Sequence, residues 1–231
     1  MDTKLRNEFF QLVVGARRSP LSQAQLREVE LALFKYHPHI AFNGLLVDTS
    51  GDKDLVTSLR GLDKTDFFTK EIDLLLLSAA CRIAIHSAKD LPFSIPKGIK
   101  IVALTAGVDP ADSLVLRPGA SFANLPLGAM IATSSERREA AVRELRSDLC
   151  FCDIRGTIGQ RLEKLDQGVV DGVVIAEAAL IRLGLRHLNR VKVPGETVKY
   201  QGQLAILARD EDHEMFDLFA CLDSRNNREE L

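Results

Sequence analysis

The sequence predicts an α/β protein assembled from βαβ units in two successive parts. Three observations carry that prediction. Short apolar strand patterns alternate with helical ones along most of the chain. A stretch at residues 107–110 separates an earlier set of units from a later one. Polar residues recur at the strand-to-helix junctions, the edge at which parallel sheets collect their ligands.

Residues 10–14 form the first apolar run. Ser19 then supplies an N-cap oxygen and Pro20 fits the first helical position, opening a helix over 21–36 in which Leu26, Val29 and Leu33 recur at helical spacing. His37-Pro38 stops it. An apolar stretch over 40–47, a polar loop Asp48-Thr49-Ser50-Gly51-Asp52-Lys53 and a helix pattern over 67–80 follow. Arg82-Ile83-Ala84-Ile85-His86 reads as a buried strand with Ser87-Ala88-Lys89-Asp90 as the loop at its carboxyl end, and residues 99–105 are strand-like. In the second part, Met130-Ile131-Ala132-Thr133 is a strand followed by Ser134-Ser135 and a helix through Leu145. Residues 149–154 are a strand followed by Arg155-Gly156-Thr157 and a helix to Leu165, closed by Gly168; residues 169–176 lead into a third helix ending near Gly184. Strands and helices at this spacing predict parallel sheets.

Composition narrows the function classes. The chain has 231 residues, room for one large domain or two small ones, and its 46% hydrophobic and 27% charged residues are those of an ordinary globular protein. A net charge of -2 excludes the broadly basic footprint of a dedicated nucleic-acid binder and leaves a local anion site open. No apolar run approaches bilayer-spanning length, and Met1-Asp2-Thr3-Lys4 leads into Arg6-Asn7-Glu8 without a signal-peptide core, so the chain reads as cytoplasmic, without a membrane partner. Cys81, Cys150, Cys152 and Cys221 form no disulfide framework. Period two puts Cys150 and Cys152 on one face of a strand, but no second pair or histidine is nearby, so buried apolar packing is expected in place of a metal site.

The informative residues sit at four junctions: Arg17-Arg18-Ser19, His86-Ser87-Ala88-Lys89-Asp90, Thr133-Ser134-Ser135-Glu136-Arg137-Arg138, and Arg155-Gly156-Thr157 with Arg161 further along its helix. Helix N-termini offer free N–H groups and a positive dipole end, hydroxyls add donors, and arginine adds a bidentate partner for carboxylate or phosphate. Singly, Ser19 and Ser134 could be caps and Arg137 or Arg138 a solvated face, since nine arginines between 130 and 190 are matched by nine acids. Recurrence favours a polyanion site, because capping does not require arginine. Arg143 and Arg146 read as surface. Lys89-Asp90 is the place with acid–base potential, as a carboxylate at a buried strand end can stabilise a developing cation and move a proton; the plainer alternative is a surface ion pair. His86 is expected to be a hydrogen-bonded core histidine, not a metal ligand.

Seven motifs, in order from about residue 11 to 210, resemble the porphobilinogen deaminases, or hydroxymethylbilane synthases. They are Arg17-Arg18-Ser19-Pro20-Leu21-Ser22-x-x-Gln25, Phe68-Thr69-Lys70-Glu71, His86-Ser87-Ala88-Lys89-Asp90-Leu91-Pro92, Asp109-Pro110-x-Asp112, Thr133-Ser134-Ser135-x-Arg137-Arg138, Arg155-Gly156-Thr157-Ile158-Gly159-x-Arg161-Leu162-x-Lys164-Leu165, and Leu180-Ile181-Arg182-Leu183-Gly184. The resemblance implies an α/β fold of two similar doubly wound domains of the periplasmic-binding-protein type. The chain would cross twice, with domain 1 at residues 1–105, domain 2 at 106–198 and a return to domain 1 at 199–231.

It further implies a transferase of tetrapyrrole (porphyrin, heme) biosynthesis that joins four porphobilinogen molecules with release of ammonia on a dipyrromethane cofactor, and is expected to be monomeric. By the same resemblance Asp90 is the catalytic acid–base residue. Arg17, Ser19, Lys89, Arg137, Arg138, Arg155 and Arg161 bind the carboxylates of substrate and cofactor, with Thr133, Ser134, Ser135, Gly156, Gln201 and Gly202 assisting. Three departures stand out. Members of the family carry a third domain whose cysteine, in a glycine-rich loop, holds the primer by a thioether; the chain ends at Leu231 and Cys221 does not match that loop, so a non-covalent or absent primer is expected. The family's glycine- and lysine-rich segment is here Leu59-Arg60-Gly61-Leu62-Asp63-Lys64-Thr65-Asp66, and its Gly-Gln-Gly is Tyr200-Gln201-Gly202-Gln203. The alternative function is a non-enzymatic binding protein for pyrroles or other small carboxylates.

Overall fold

The structure, a computed structural model, describes residues 10–61 and 65–225. Residues 1–9, on which the reading of the amino terminus rests, Leu62, Asp63 and Lys64 of the altered segment, and residues 226–231 lie outside the described residues.

Two five-stranded sheets organise the chain. The first contains β1 (Phe10–Arg17), β2 (Ile40–Val47), β3 (Ile83–Ser87), β4 (Ile99–Leu104) and β10 (Leu204–Arg209), in the order β2-β1-β3-β10-β4. The second contains β5 (Asp112–Leu116), β6 (Met130–Ala132), β7 (Cys150–Cys152), β8 (Gly172–Ala176) and β9 (Arg190–Val193), in the order β7-β6-β8-β5-β9. The helices are α1 (Pro20–Phe34), α2 (Ser50–Lys53), α3 (Lys70–Leu77), α4 (Glu136–Leu145), α5 (Ile158–Asp166), α6 (Glu177–Arg182) and α7 (His213–Phe219). β3, β8 and the first five residues of β10 are buried throughout or nearly so, as strands covered on both faces should be.

The sheets are mixed, which corrects the expectation of parallel ones. β10 runs antiparallel to β3 and β4, and β5 runs antiparallel to β8 and β9. The cause is connectivity. Each antiparallel strand is the first to enter its sheet after a crossover, residues 105–111 for β5 and 194–203 for β10. Both crossovers arrive at the carboxyl edge of the parallel strands, so the incoming strand must run back. The register displays this: Asp112 at the start of β5 lies opposite Ala176 and Val193 at the ends of β8 and β9, while Leu204 at the start of β10 lies opposite Ser87. Strands β5, β9 and β10 escaped sequence reading. The carboxyl edges of both sheets, carrying the four junctions, thus meet at the crossovers.

Local chemistry fixes the elements. The Ser19 hydroxyl accepts from the Ser22 amide with Pro20 at the helix start, as the sequence indicates, and Val29 and Leu33 are buried. The expected loop over 48–53 instead holds α2, because Thr49 and Asp52 form a reciprocal capping box. The helix expected over 67–80 is only Lys70–Leu77: the Phe67 carbonyl turns away to accept from the Gly51 amide at 2.9 Å, and Ala79 takes a left-handed φ of 58° just past the other end. Gly202, with φ +87°, lets the two crossovers touch, since a Cβ there would stand 3.1 Å from the Val108 carbonyl oxygen. Among the described residues no helix is long and apolar enough to cross a membrane.

The cysteines also depart from expectation. Cys81 is buried, but Cys150 is exposed and Cys152 half-buried, because β7 is an edge strand of the second sheet. Cys221 is exposed after α7. Among the described residues no cluster of metal-binding side chains exists.

Candidate active site

Asp90 ends a 3-10 turn, Ala88–Asp90, that follows directly on β3. With Arg17, Ser19, Gln25, Phe68 and Ser87 it lines a narrow pocket of about 40 Å³ between the ends of β1 and β3 and the start of α1. Arg17 is positioned there by Asp52, which receives it through two nitrogens, and its guanidinium lies 4.5 Å over the Phe68 ring. Burial raises the Asp52 carboxyl, and the Arg17 and Thr49 hydrogen bonds more than offset this, leaving it below its ordinary range. Gln25 donates to the Ser87 hydroxyl at 2.8 Å.

Across the cleft, Arg137 and Arg138 at the start of α4 converge on Asp112, which is fully buried. Arg138 reaches one oxygen through Nε at 3.0 Å and Nη2 at 2.6 Å, while Arg137 binds the other. Desolvation raises the Asp112 carboxyl, but the two guanidiniums outweigh it and hold the group ionised. Gln201, in the second crossover, donates to Asp112 at 3.0 Å and accepts from Lys89 Nζ at 3.4 Å. Among the described residues Lys89 has no carboxylate as a hydrogen-bond partner; desolvation, reinforced by Arg138, pushes its ammonium down to about 8.

Arg155 stands where the halves touch. Its Nη2 donates to the carbonyls of Gly51 at 2.9 Å and Asp54 at 2.7 Å, its plane faces Phe67 and Phe68, and its Nε and Nη1 are buried without partners. Arg161 donates to the Gly156 carbonyl at 2.9 Å, and desolvation with the charges of Arg138 and Arg155 lowers it to about 10. Arg17, Arg138, Arg155 and Arg161 are therefore electrostatic neighbours drawn from both sheets. Buried guanidinium nitrogens without hydrogen-bond partners among the described residues are what a carboxylate or phosphate could meet.

The hydroxyls are more committed. Ser135 caps α4, Thr133 accepts from the Ser135 amide, and Ser134 donates to Asp153 and accepts from the Ile154 amide, tying two junctions together. Arg143 is a surface residue paired with Glu139. Arg146 corrects its reading: its side chain is only 17% exposed, since it donates to the Phe122 and Leu125 carbonyls and closes their loop. His86 is buried as expected, but its Nε2 has no hydrogen-bond partner and faces Asp73 at 4.0 Å. Burial lowers its imidazole to about 4 and raises the Asp73 carboxyl to about 6. Sequence reasoning missed Asp52, Asp73 and Arg60, whose Nη2 donates across the cleft to the Thr133 carbonyl at 2.8 Å. Asp112 stood in a quoted motif without a role.

Solved structures of similar shape support the fold. A putative methionine-binding lipoprotein from Bacillus subtilis aligns over 95% of this chain and 92% of its own with a TM-score of 0.53 at 14% identity. CbnR, a LysR family transcriptional regulator, aligns over 93% and 69% with a TM-score of 0.54 at 12% identity. Sequence relatives are more specific. A porphobilinogen deaminase from Xanthomonas campestris pv. campestris is 38% identical over 94% of this chain and 72% of its own length. One from Desulforudis audaxviator is 37% identical over the same shares. The family profile described as "Porphobilinogen deaminase, dipyromethane cofactor binding domain" matches residues 12–217, a span that takes in both sheets and both crossovers. Identity at this level across so much of the chain is more than a shared architecture can supply, and this chain belongs to the porphobilinogen deaminase family.

Proposed function

We propose that the chain is a hydroxymethylbilane synthase that condenses four porphobilinogen molecules, with Asp90 as its acid–base residue and the clustered arginines as its carboxylate receptors. The reading is supported above all by the pairing of one carboxylate, Asp90, with cations whose donors the fold leaves unmet. In each turn the aminomethyl C–N bond breaks and ammonia departs, leaving a pyrrole-stabilised cation. The α-carbon of the waiting pyrrole forms the new C–C bond, and its α-proton is lost as ammonia gains one. Asp90 stabilises the developing positive charge and carries that proton. Arg17, Lys89, Arg137, Arg138, Arg155 and Arg161 take acetate and propionate groups, Ser19, Thr133, Ser134, Ser135 and Gly156 shape the junctions that hold them, and Gln201 and Gly202 join the halves.

A dipyrromethane, when bound, supplies the first α-carbon nucleophile. The residues fit such a group: Arg155 has two buried nitrogens without hydrogen-bond partners among the described residues, and burial works against the charges of Lys89 and Arg161, a cost that an arriving anion relieves. We assign its retention in this chain to these cations, without a thioether. Burial pushes the Cys81 thiol to about 11 and raises the Cys152 thiol, which makes both poor nucleophiles, while Cys150 opens β7 at the end of the sheet away from the junctions and Cys221 lies after α7. The two sheets serve as the cores of two domains divided at 1–105, 106–198 and 199–231.

Turnover with purified chain and Asp90→Asn tests the reading. Wild type is expected to consume porphobilinogen and release ammonia, with its sequence mass after denaturation. Asp90→Asn keeps the size, removes the charge, and is expected to lower turnover about a hundredfold or more, about 3 kcal/mol, with much less effect on binding. An equally active Asp90→Asn refutes the mechanism. No wild-type turnover with added dipyrromethane leaves a carboxylate-binding protein.

A further inference from the structure

Asp112 has no place in the chemistry above, yet it is fully buried and accepts from three side chains, two on α4 and one in the second crossover. It opens β5, directly after the first crossover, while Gln201 belongs to the second. The Gln201 amide nitrogen is committed on that side, donating to the Pro110 carbonyl at 2.5 Å and to Asp112 at 3.0 Å. Both amide hydrogens are then used, so the amide oxygen must face the other way. There it meets Lys89 Nζ, the residue next to Asp90. Asp112 and the Pro110 carbonyl together thus fix which end of the Gln201 amide Lys89 encounters, and Asp112 also holds the Arg137 and Arg138 planes in place.

We propose that Asp112 is a positioning residue that fixes the carboxylate-binding faces of Arg137 and Arg138 and, through Gln201, the ammonium of Lys89 beside Asp90. Its role in turnover rests on the function proposed above, whereas its effect on Lys89 does not. The charged groups facing Lys89 are Arg137, Arg138, Asp90 and Asp112. Removing the Asp112 charge leaves two arginines and one carboxylate around the ammonium, so its titration moves to lower pH. Removing the Gln201 acceptor acts in the same direction.

Competitive acetylation of the folded chain across pH, read on the Lys89 peptide by mass spectrometry, measures this without any ligand. In Asp112→Asn and in Gln201→Met the Lys89 midpoint is expected to fall by about half a pH unit or more, measured against the Lys100 peptide from β4 as internal reference. Porphobilinogen affinity should fall about tenfold or more in Asp112→Asn, and the alkaline limb of binding should move with the Lys89 midpoint. Loss of packing alone would weaken binding without moving that limb. If Asp112→Asn does not fold, Gln201→Met decides the matter. A Lys89 midpoint at the wild-type value in the folded variants overturns the proposal. Wild type that neither binds nor consumes porphobilinogen, with the midpoint shifts intact, overturns the functional reading and leaves this one standing.

Discussion

Replacing Arg155 by methionine should separate what the site needs for folding from what it needs for binding. Methionine keeps an unbranched stem of similar reach and removes the guanidinium. In the free protein the substitution deletes two hydrogen bonds from a charged donor, to Gly51 and Asp54, each contributing about 1.5–3 kcal/mol. It also deletes two buried nitrogens without partners, each unfavourable by about 1–3 kcal/mol. These effects oppose each other at similar size, so stability should stay within about 2 kcal/mol of wild type. Binding has no such cancellation. A carboxylate that meets the unpartnered nitrogens gains about 2–4 kcal/mol from Arg155, so its loss should raise the porphobilinogen dissociation constant about thirty- to seven-hundredfold. Titration calorimetry and thermal denaturation on the same preparations read the two quantities. Arg143→Ala, on the outer face of α4 where Arg143 pairs with Glu139, is the control and should leave affinity unchanged. Equal losses from Arg155→Met and Arg143→Ala, or a collapse of stability with no separate effect on affinity, would refute the reasoning.

Arg138→Ala should weaken porphobilinogen binding by about 2–4 kcal/mol in the same calorimetry, with the fold retained because Arg137 still pairs with Asp112. Asp73→Asn should raise stability at pH 7 by about 1–2 kcal/mol after allowance for solvent screening, and have little effect near pH 4. The sign follows from a folded pKa of about 6 against an ordinary 3.8: the native carboxyl prefers its proton, so its contribution is intact below pH 4 and is lost as pH rises through 6. His86, lowered to about 4, acts oppositely, losing stability as pH falls from 6.5, so urea unfolding of wild type and variant must be compared pairwise across that window. Gly202→Ala forces a side chain into φ +87° and against the Val108 carbonyl, and should lower stability by about 1–3 kcal/mol; an unchanged melting temperature would show that the crossovers are free to separate.

Much of this architecture is legible in the sequence because it rests on local rules. Ser19 and Pro20 announce α1, the apolar runs announce β2, β3 and β8, and the junction arginines announce a cationic edge. What was not legible depends on partners distant in the chain. Asp112–Leu116 is a short buried strand that opens on two polar residues and whose direction is set by a crossover. Asp52 lay in a polar loop that gave no hint of its engagement with Arg17, 35 residues away. The exposure of Cys150 follows from β7 being an edge strand, and edge or centre is a property of the sheet order, which periodicity does not encode.

The charge pairing at the cleft divides the cations into two groups with different duties. Arg17 is matched by Asp52, and Arg137 with Arg138 share Asp112; these are preset by carboxylates of the same half of the fold. Among the described residues Arg155 and Arg161 have only carbonyls as hydrogen-bond partners, and Lys89 only an amide oxygen. Desolvation works against the charge of each member of the second group in the free protein, and an entering anion relieves that cost. Arg155 makes its contacts with α2 and the segment after it, on the opposite half, and Arg60 returns the favour by donating to Thr133. Anion binding is thus linked to the contact between the halves: any carboxylate that makes Arg155 easier to bury also favours the geometry in which Gly51 and Asp54 meet it. By mass action such a ligand must stabilise the native fold in which that contact exists, by about 2.7 kcal/mol at a hundred times its dissociation constant. On the function proposed above, Asp90, beside Arg17 at the edge of the first sheet, and Arg155, reaching over from the second, would share one substrate, whose own carboxylates supply the binding energy that places it.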